Sequence, residues 1–127
     1  MRLATAGIAQ AVLNVKGQAS HAGSAPEQGI NALTELSHQI LQMGDLSDPA
    51  RNIKVNWTMA SAGIVRNMIP PNAQAFADIR VERLSDLDGV EQKLRERIKT
   101  QRVKDAKVEL LFERTFPPLE PTAAART

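Results

Sequence analysis

Residues 72–83, NAQAFADIRVER, alternate small or aliphatic side chains with larger or polar ones. A period of two is typical of a β-strand that packs one face against a core. The other face of this stretch carries Phe76, Asp78 and Arg80. The core face collects Ala73, Ala75, Ala77, Ile79 and Val81. The stretch therefore predicts a strand that is buried on one side, around which the remaining elements can be arranged.

Three further alternating stretches, at residues 8–16, 52–60 and 107–114, predict three more strands. The connection before residue 72 spans about ten residues, which is longer than a hairpin between adjacent strands requires. The apolar faces are expected to consist of Ala9, Ala11, Leu13 and Val15; of Ile53, Val55, Trp57 and Met59; and of Val108, Leu110 and Phe112.

Two stretches, at residues 30–43 and 85–98, have the three- and four-residue spacing of amphipathic helices. Gly44 is a suitable stop for the first helix. Ser85 with Asp88 three residues later resembles a capping box at the start of the second. His38 falls on a polar stripe and is expected to face solvent. The apolar positions are Ile30, Leu33, Leu36, Ile40 and Met43 in the first helix, and Leu87, Val90, Leu94 and Ile98 in the second.

The elements therefore follow the order β-α-β-β-α-β, which predicts an α+β ferredoxin-like sandwich. In this fold two right-handed crossovers build a four-stranded antiparallel sheet with both helices on one face. The expected spatial order of the strands is 4-1-3-2. Strands 2 and 4 are then the edges of the sheet.

Composition limits the function classes. The 127 residues are enough for one domain, and the absence of cysteine excludes disulfides and thiolate zinc sites. Only two histidines are present, which argues against a complete zinc enzyme. A net charge of +2 does not indicate a nucleic-acid binder, and no apolar run is long enough to span a membrane.

Three polar residues are candidates for chemistry, each with a plain structural alternative. His21 lies among small residues in the loop after the first strand, where it is either a solvated histidine or a site residue. Asn67 lies in the connection between strands 2 and 3, where asparagine is also a common turn residue. Arg80 is placed on the sheet face away from the helices, as a surface charge or as a fork for a carboxylate.

Five segments occur here in an order that resembles a known domain. They are residues 17–26 (GQASHAGSAP), 29–32 (GINA), 62–63 (AG), 67–70 (NMIP) and 77–80 (ADIR). Together they resemble the dimerisation, or lid, domain of the aminoacylase and glutamate carboxypeptidase superfamily of two-zinc metallopeptidases, most closely the bacterial glutamate carboxypeptidase type.

The resemblance implies that residues 1–116 form a lid without its catalytic domain, and that residues 117–127 are a linker or disordered tail. It implies no cofactor in this chain, two zinc ions in the catalytic domain, and an inactive isolated chain. His21 would stabilise the reaction oxyanion in the partner subunit's site, whereas Asn67 and Arg80 would bind the substrate's terminal carboxylate. The expected homodimer forms through edge strand 2 and helix 1.

Two other functions are compatible with the same topology. One is a free-standing regulatory module that binds an amino acid. The other is an RNA-recognition module, which requires aromatic side chains on the open sheet face, where the central strands offer only Phe76. Both a cytoplasmic and a periplasmic location in a bacterium are compatible with the sequence.

Overall fold

The computed structural model describes residues 7–115. These residues form the predicted order of elements, and the proposed tail at residues 117–127 lies outside them. Neither helix in the described part combines the length and apolarity needed to cross a bilayer. The bounds are β1 (Gly7–Lys16), α1 (Ala32–Gln42), β2 (Ile53–Ala62), β3 (Asn72–Val81), α2 (Ser85–Arg97) and β4 (Lys107–Thr115).

The four strands form one antiparallel sheet in the order β2-β3-β1-β4. This order confirms the predicted α+β sandwich and leaves β2 and β4 at the edges. In the centre, Ala11 of β1 lies opposite Ala77 of β3 on one side and opposite Phe112 of β4 on the other. Paired residues share a face, so one register fixes which side chains enter the core.

One hydrophobic core fills the space between the sheet and the two helices. The sheet contributes mostly alanines at its centre, which lets the larger helix side chains approach closely. Leu36 and Met43 from the α1 side and Leu87 and Leu94 from α2 are almost completely buried against this surface. The alternation predicted for β1, β3 and β4 is confirmed by this packing.

The first helix begins later than the sequence predicts and buries a different face. Ile30 pairs with Gln18 through two backbone hydrogen bonds of 2.9 Å, so it lies before the helix. The Asn31 side chain then caps α1 by accepting from the Thr34 amide at 3.0 Å. Leu33, predicted to be apolar core, is 46% exposed. The prediction for Leu33 is wrong because the buried stripe is rotated toward polar positions.

Those polar positions are Glu35 and Gln39, both fully buried. Glu35 Oε1 accepts hydrogen bonds from the backbone amides of Arg102 at 2.9 Å and Val103 at 2.7 Å. Glu35 Oε2 accepts from Gln39 Nε2 at 2.7 Å. A buried carboxylate is stable only when its oxygens are satisfied in this way. Glu35 therefore fastens the segment after α2 onto α1.

Replacing Glu35 by alanine is expected to lower the free energy of unfolding by about 3 kcal/mol, because two buried backbone donors lose their acceptor. Chemical denaturation of the two chains measures the difference. The matched control is Glu27→Ala, at an exposed site, which should change stability by less than about 0.5 kcal/mol. Equal stability of the Glu35 variant and the wild type would contradict a fastening role.

The second strand contains a β-bulge between Trp57 and Met59. Trp57 lies opposite Ala77 on the core face, whereas Met59 lies opposite Phe76 on the other face and is 66% exposed. The prediction that Met59 faces the core is therefore wrong. One extra residue in the strand reverses the orientation of every side chain that follows it.

The predicted capping box of α2 is also wrong. Leu84 is the N-cap residue and no side chain caps the helix, so Ser85 is already helical. The acidic residue that matters in the first turn is Asp86, which is buried and receives a 2.7 Å hydrogen bond from Arg51. His38 is half-buried rather than solvent-facing, because its Nε2 lies 3.0 Å from the Thr100 carbonyl oxygen.

Candidate functional site

The loop after β1 and the segment before β3 run side by side and extend the β1–β3 pairing beyond the sheet. The Gly17 amide donates to the Pro71 carbonyl at 2.8 Å, and the Ile69 amide donates to the Ser20 carbonyl at 2.8 Å. Farther out, the Ala22 amide donates to the Asn67 carbonyl at 2.9 Å. This pairing brings the His21 and Asn67 backbones together at one end of the sheet.

Two glycines allow a third segment to pack against this extension. A Cβ at Gly17 would lie 2.0 Å from the Ile30 carbonyl oxygen. A Cβ at Gly29 would lie 2.5 Å from Ser20 Oγ and 2.9 Å from Ile69 Cγ2. Only a residue without a side chain fits at such a distance. The spacing of glycines in the segments that carry the family resemblance is therefore explained by packing around the His21 loop.

His21 is exposed at the tip of this extension. Its Nδ1 accepts hydrogen bonds from the backbone amides of Gly23 at 3.0 Å and Ser24 at 3.1 Å. The Ala25 amide closes the same turn by donating to the His21 carbonyl at 3.0 Å. The imidazole is thus held by its own loop. Asn67 is exposed beside it, in the connection between β2 and β3.

Arg80 lies at the other end of the sheet. It is on the open face, as predicted, and its Nε donates to Asp78 Oδ2 at 2.9 Å. Eight residue steps along β3 separate it from Asn72, a span of about 26 Å in a strand. Asn67 lies farther still, beyond the start of the strand. Within one chain, Arg80 therefore does not meet His21 or Asn67.

A second cation accompanies Arg80. Lys54 on the edge strand β2 lies directly opposite Arg80 in the register. Like charges in directly opposed positions repel each other, and an anionic ligand between them offsets that repulsion. The sequence reasoning missed Lys54 because only the register of β2 against β3 shows that the two cations are neighbours. This end of the open face is suited to a carboxylate.

The open face near His21 has a different character. A groove of about 540 Å³ lies there, and its walls include the side chains of Asn14, Gln74, Ser61 and Asn72. Gln74 Nε2 donates to Asn14 Oδ1 at 2.7 Å. Residues 7–115 contain no group of three or more His, Cys, Asp or Glu side chains placed to hold a metal ion. The described residues thus do not fit a zinc centre.

The clear pKa shifts belong to ion pairs outside this candidate site. Hydrogen bonds from Arg97 lower the pKa of Asp45, which joins the end of α2 to the loop after α1. Burial raises the pKa of Glu91, but hydrogen bonds from Arg114 and Arg95 outweigh it, so the pKa is lowered overall. These pairs connect helices and strands, and we interpret them as structural.

The fold and the two ends of the sheet define a class of protein domain. Residues 3–106 match the family model of the peptidase dimerisation domain, and the chain belongs to that family. It is 42% identical over 117 residues to carboxypeptidase G2 of Pseudomonas sp. strain RS-16. That match covers 92% of this chain but only 28% of carboxypeptidase G2. The chain thus spans under a third of that relative.

A second relative, from Haemophilus influenzae, is a homolog of a p-aminobenzoyl-glutamate hydrolase chain; it is 32% identical over 71 residues, covering 55% of this chain and 17% of that protein. Among solved structures, a hydantoinase/carbamoylase family amidase from Burkholderia ambifaria has a TM-score of 0.73 at 21% identity, covering 88% of this chain and 29% of that chain. A tripeptidase from Staphylococcus aureus has a TM-score of 0.72 at 17% identity, covering 85% and 29%. These structures confirm the fold.

Proposed function

We propose that residues 1–116 are the dimerisation and substrate-clamping lid of a zinc-dependent hydrolase of the glutamate carboxypeptidase type, here called the parent enzyme. Residues 117–127 would serve as the linker. The observation that carries the proposal is the position of the site residues. His21 and Asn67 lie at one end of the sheet and Arg80 at the other. A second copy of the domain can bring the two ends together.

Antiparallel pairing of two β2 edges about a twofold axis would give one eight-stranded sheet. The axis reverses the direction of the partner's strands, so the Arg80 end of one protomer adjoins the His21 end of the other. Three strand spacings, about 14 Å, separate the two copies of β3, and the His21 and Asn67 loops project beyond the strands. A substrate clamped there would contact Arg80 of one protomer and His21 and Asn67 of the other.

The surfaces of α1 support this mode of association. One side of the helix contacts the end of α2, through His38 and Gln42. The opposite side faces the β2 edge and carries Leu33, Ser37 and Ile40, apolar residues around one small one. The last five residues of β2 are exposed as well. An exposed edge strand beside an apolar helix face is suited to pairing with a copy of itself.

Replacing Leu33 by aspartate is expected to weaken the dimer about 10- to 100-fold, because each copy would lose a buried leucine contact. Sedimentation equilibrium of the isolated chain measures the dissociation constant. Leu84 is a matched control: it is 47% exposed, against 46% for Leu33, but lies at the start of α2. Leu84→Asp should leave the dimer unchanged. Equal effects of the two variants would contradict an interface at α1.

In the parent enzyme, Lewis-acid activation of water and of the scissile carbonyl would be supplied by two zinc ions held in a separate catalytic domain. The residues of this chain would bind and orient. Arg80 would pair with the terminal carboxylate of the substrate, Asn67 would donate a hydrogen bond to that carboxylate, and His21 would donate to the oxyanion. The isolated chain is expected to be inactive. Zinc content and glutamyl-amide hydrolysis of parent and isolated chain test this division of labour.

A further inference from the structure

The hydrogen bonds of His21 carry information about its proton. A backbone N–H can only donate, so a nitrogen that accepts from two of them must offer its lone pair. Nδ1 of His21 does so toward Gly23 and Ser24, at 3.0 and 3.1 Å. In the neutral imidazole the single proton must then lie on Nε2.

The turn also limits where the ring can lie. A Cβ added at Gly23 would approach His21 Cε1 to 3.3 Å and Nδ1 to 3.5 Å. The first distance is tighter than an ordinary van der Waals contact, so a side chain there would displace the ring. Gly23 is thus needed both for its amide and for the space beside the imidazole.

We infer that the Gly23 and Ser24 amides are positioning groups that fix His21 as an Nε2–H donor. In this tautomer Nε2 has no lone pair for a metal ion and cannot accept a proton from water. It can donate a hydrogen bond to an anionic oxygen. The use of that bond in catalysis rests on the proposed function, whereas the tautomer itself is a property of this chain alone.

Nitrogen NMR of the uniformly ¹⁵N-labelled chain at mildly alkaline pH tests the inference directly. We expect the His21 spectrum to show a protonated Nε2 and an unprotonated Nδ1. We also expect a scalar coupling through the hydrogen bond between Nδ1 and the amide nitrogen of Gly23 or Ser24. A protonated Nδ1 in the wild-type chain, or an averaged pair of ring nitrogens without the coupling, would overturn the inference.

Gly23→Ala separates positioning by the turn from an intrinsic preference of the ring. We expect this variant to lose the coupling and to show averaged ring nitrogens. Gly89→Ala is the matched control, because a Cβ at Gly89 meets nothing within 4 Å; it should keep the wild-type signature. The His38 resonances report whether each variant is folded. A folded Gly23→Ala chain with the wild-type signature would refute the positioning role.

The parent enzyme shows whether the donor is used. Gly23→Ala is expected there to lower kcat about tenfold with little change in KM, because the donor is displaced from the oxyanion. An altered NMR signature with an unchanged kcat would refute the oxyanion role of His21 and leave the tautomer assignment intact. The two failures are therefore distinguishable.

Discussion

Replacing His21 by alanine in the parent enzyme is expected to lower kcat by about 10²–10³-fold, the usual effect of losing one oxyanion donor. KM should change little, because the Nε2–H bond would form as negative charge develops on the substrate oxygen and not in the ground state. Steady-state kinetics with a glutamyl-amide substrate measures both constants.

His38 provides the control for this experiment. It is the other histidine of the chain, and its Nε2 contacts the Thr100 carbonyl oxygen between the helices. His38→Ala is expected to affect stability while leaving kcat within about twofold of the wild type. A His21→Ala enzyme that retained its kcat and lost substrate affinity instead would show that His21 binds substrate in the ground state.

Replacing Arg80 by alanine is expected to raise KM by about 10²-fold, because a carboxylate loses charge-assisted hydrogen bonds worth about 1.5–3 kcal/mol each. The Asp78 carboxylate, which contacts Arg80 at 2.9 Å, would then also face the substrate without its partner. Arg80→Lys should restore only part of the affinity, since a lysine keeps the charge but not the planar fork.

Two further variants sharpen the Arg80 experiment. Arg83 is exposed three residues farther along, beyond the end of β3, so Arg83→Ala should leave KM unchanged. Lys54→Gln should raise KM by a smaller factor than Arg80→Ala, because it removes only the neighbouring positive charge. Full recovery of KM in Arg80→Lys would contradict recognition by a fork.

Much of this fold is predictable from alternation alone. The central strands β1 and β3 are regular, so the predicted core face of each strand is the observed one. The edge strand β2 is not regular, and the bulge after Trp57 reverses Met59. A bulge is decided by the pairing with a neighbouring strand, which is information that a single stretch of sequence does not contain.

The errors in the helices have a comparable cause. Hydrophobic spacing predicts Leu33 as core and gives no weight to Glu35, yet Glu35 is fully buried. Its acceptors are used by backbone amides near Val103, far away in the sequence. Polar burial of this kind depends on a tertiary partner, so periodicity misses it.

The site is predictable only in part. Composition left His21, Asn67 and Arg80 with ordinary structural explanations, and the ordered motifs were needed to raise them to candidates. The pairing of the His21 loop with the Asn67 segment, and the separation of both from Arg80, follow from the sheet register. Their roles in catalysis are predictions.

Mixing impaired variants of the parent enzyme tests most directly whether the site is shared between two protomers. Combining His21→Ala with Arg80→Ala protomers under free exchange should restore up to about a quarter of the wild-type sites, because half of the dimers are mixed and each has one intact site. Combining His21→Ala with Asn67→Ala should restore none, because both residues come from the same protomer. Recovery in the first mixture alone is the predicted result. No recovery in the first mixture, with exchange of protomers demonstrated, would contradict a site built from Arg80 of one protomer and His21 of the other.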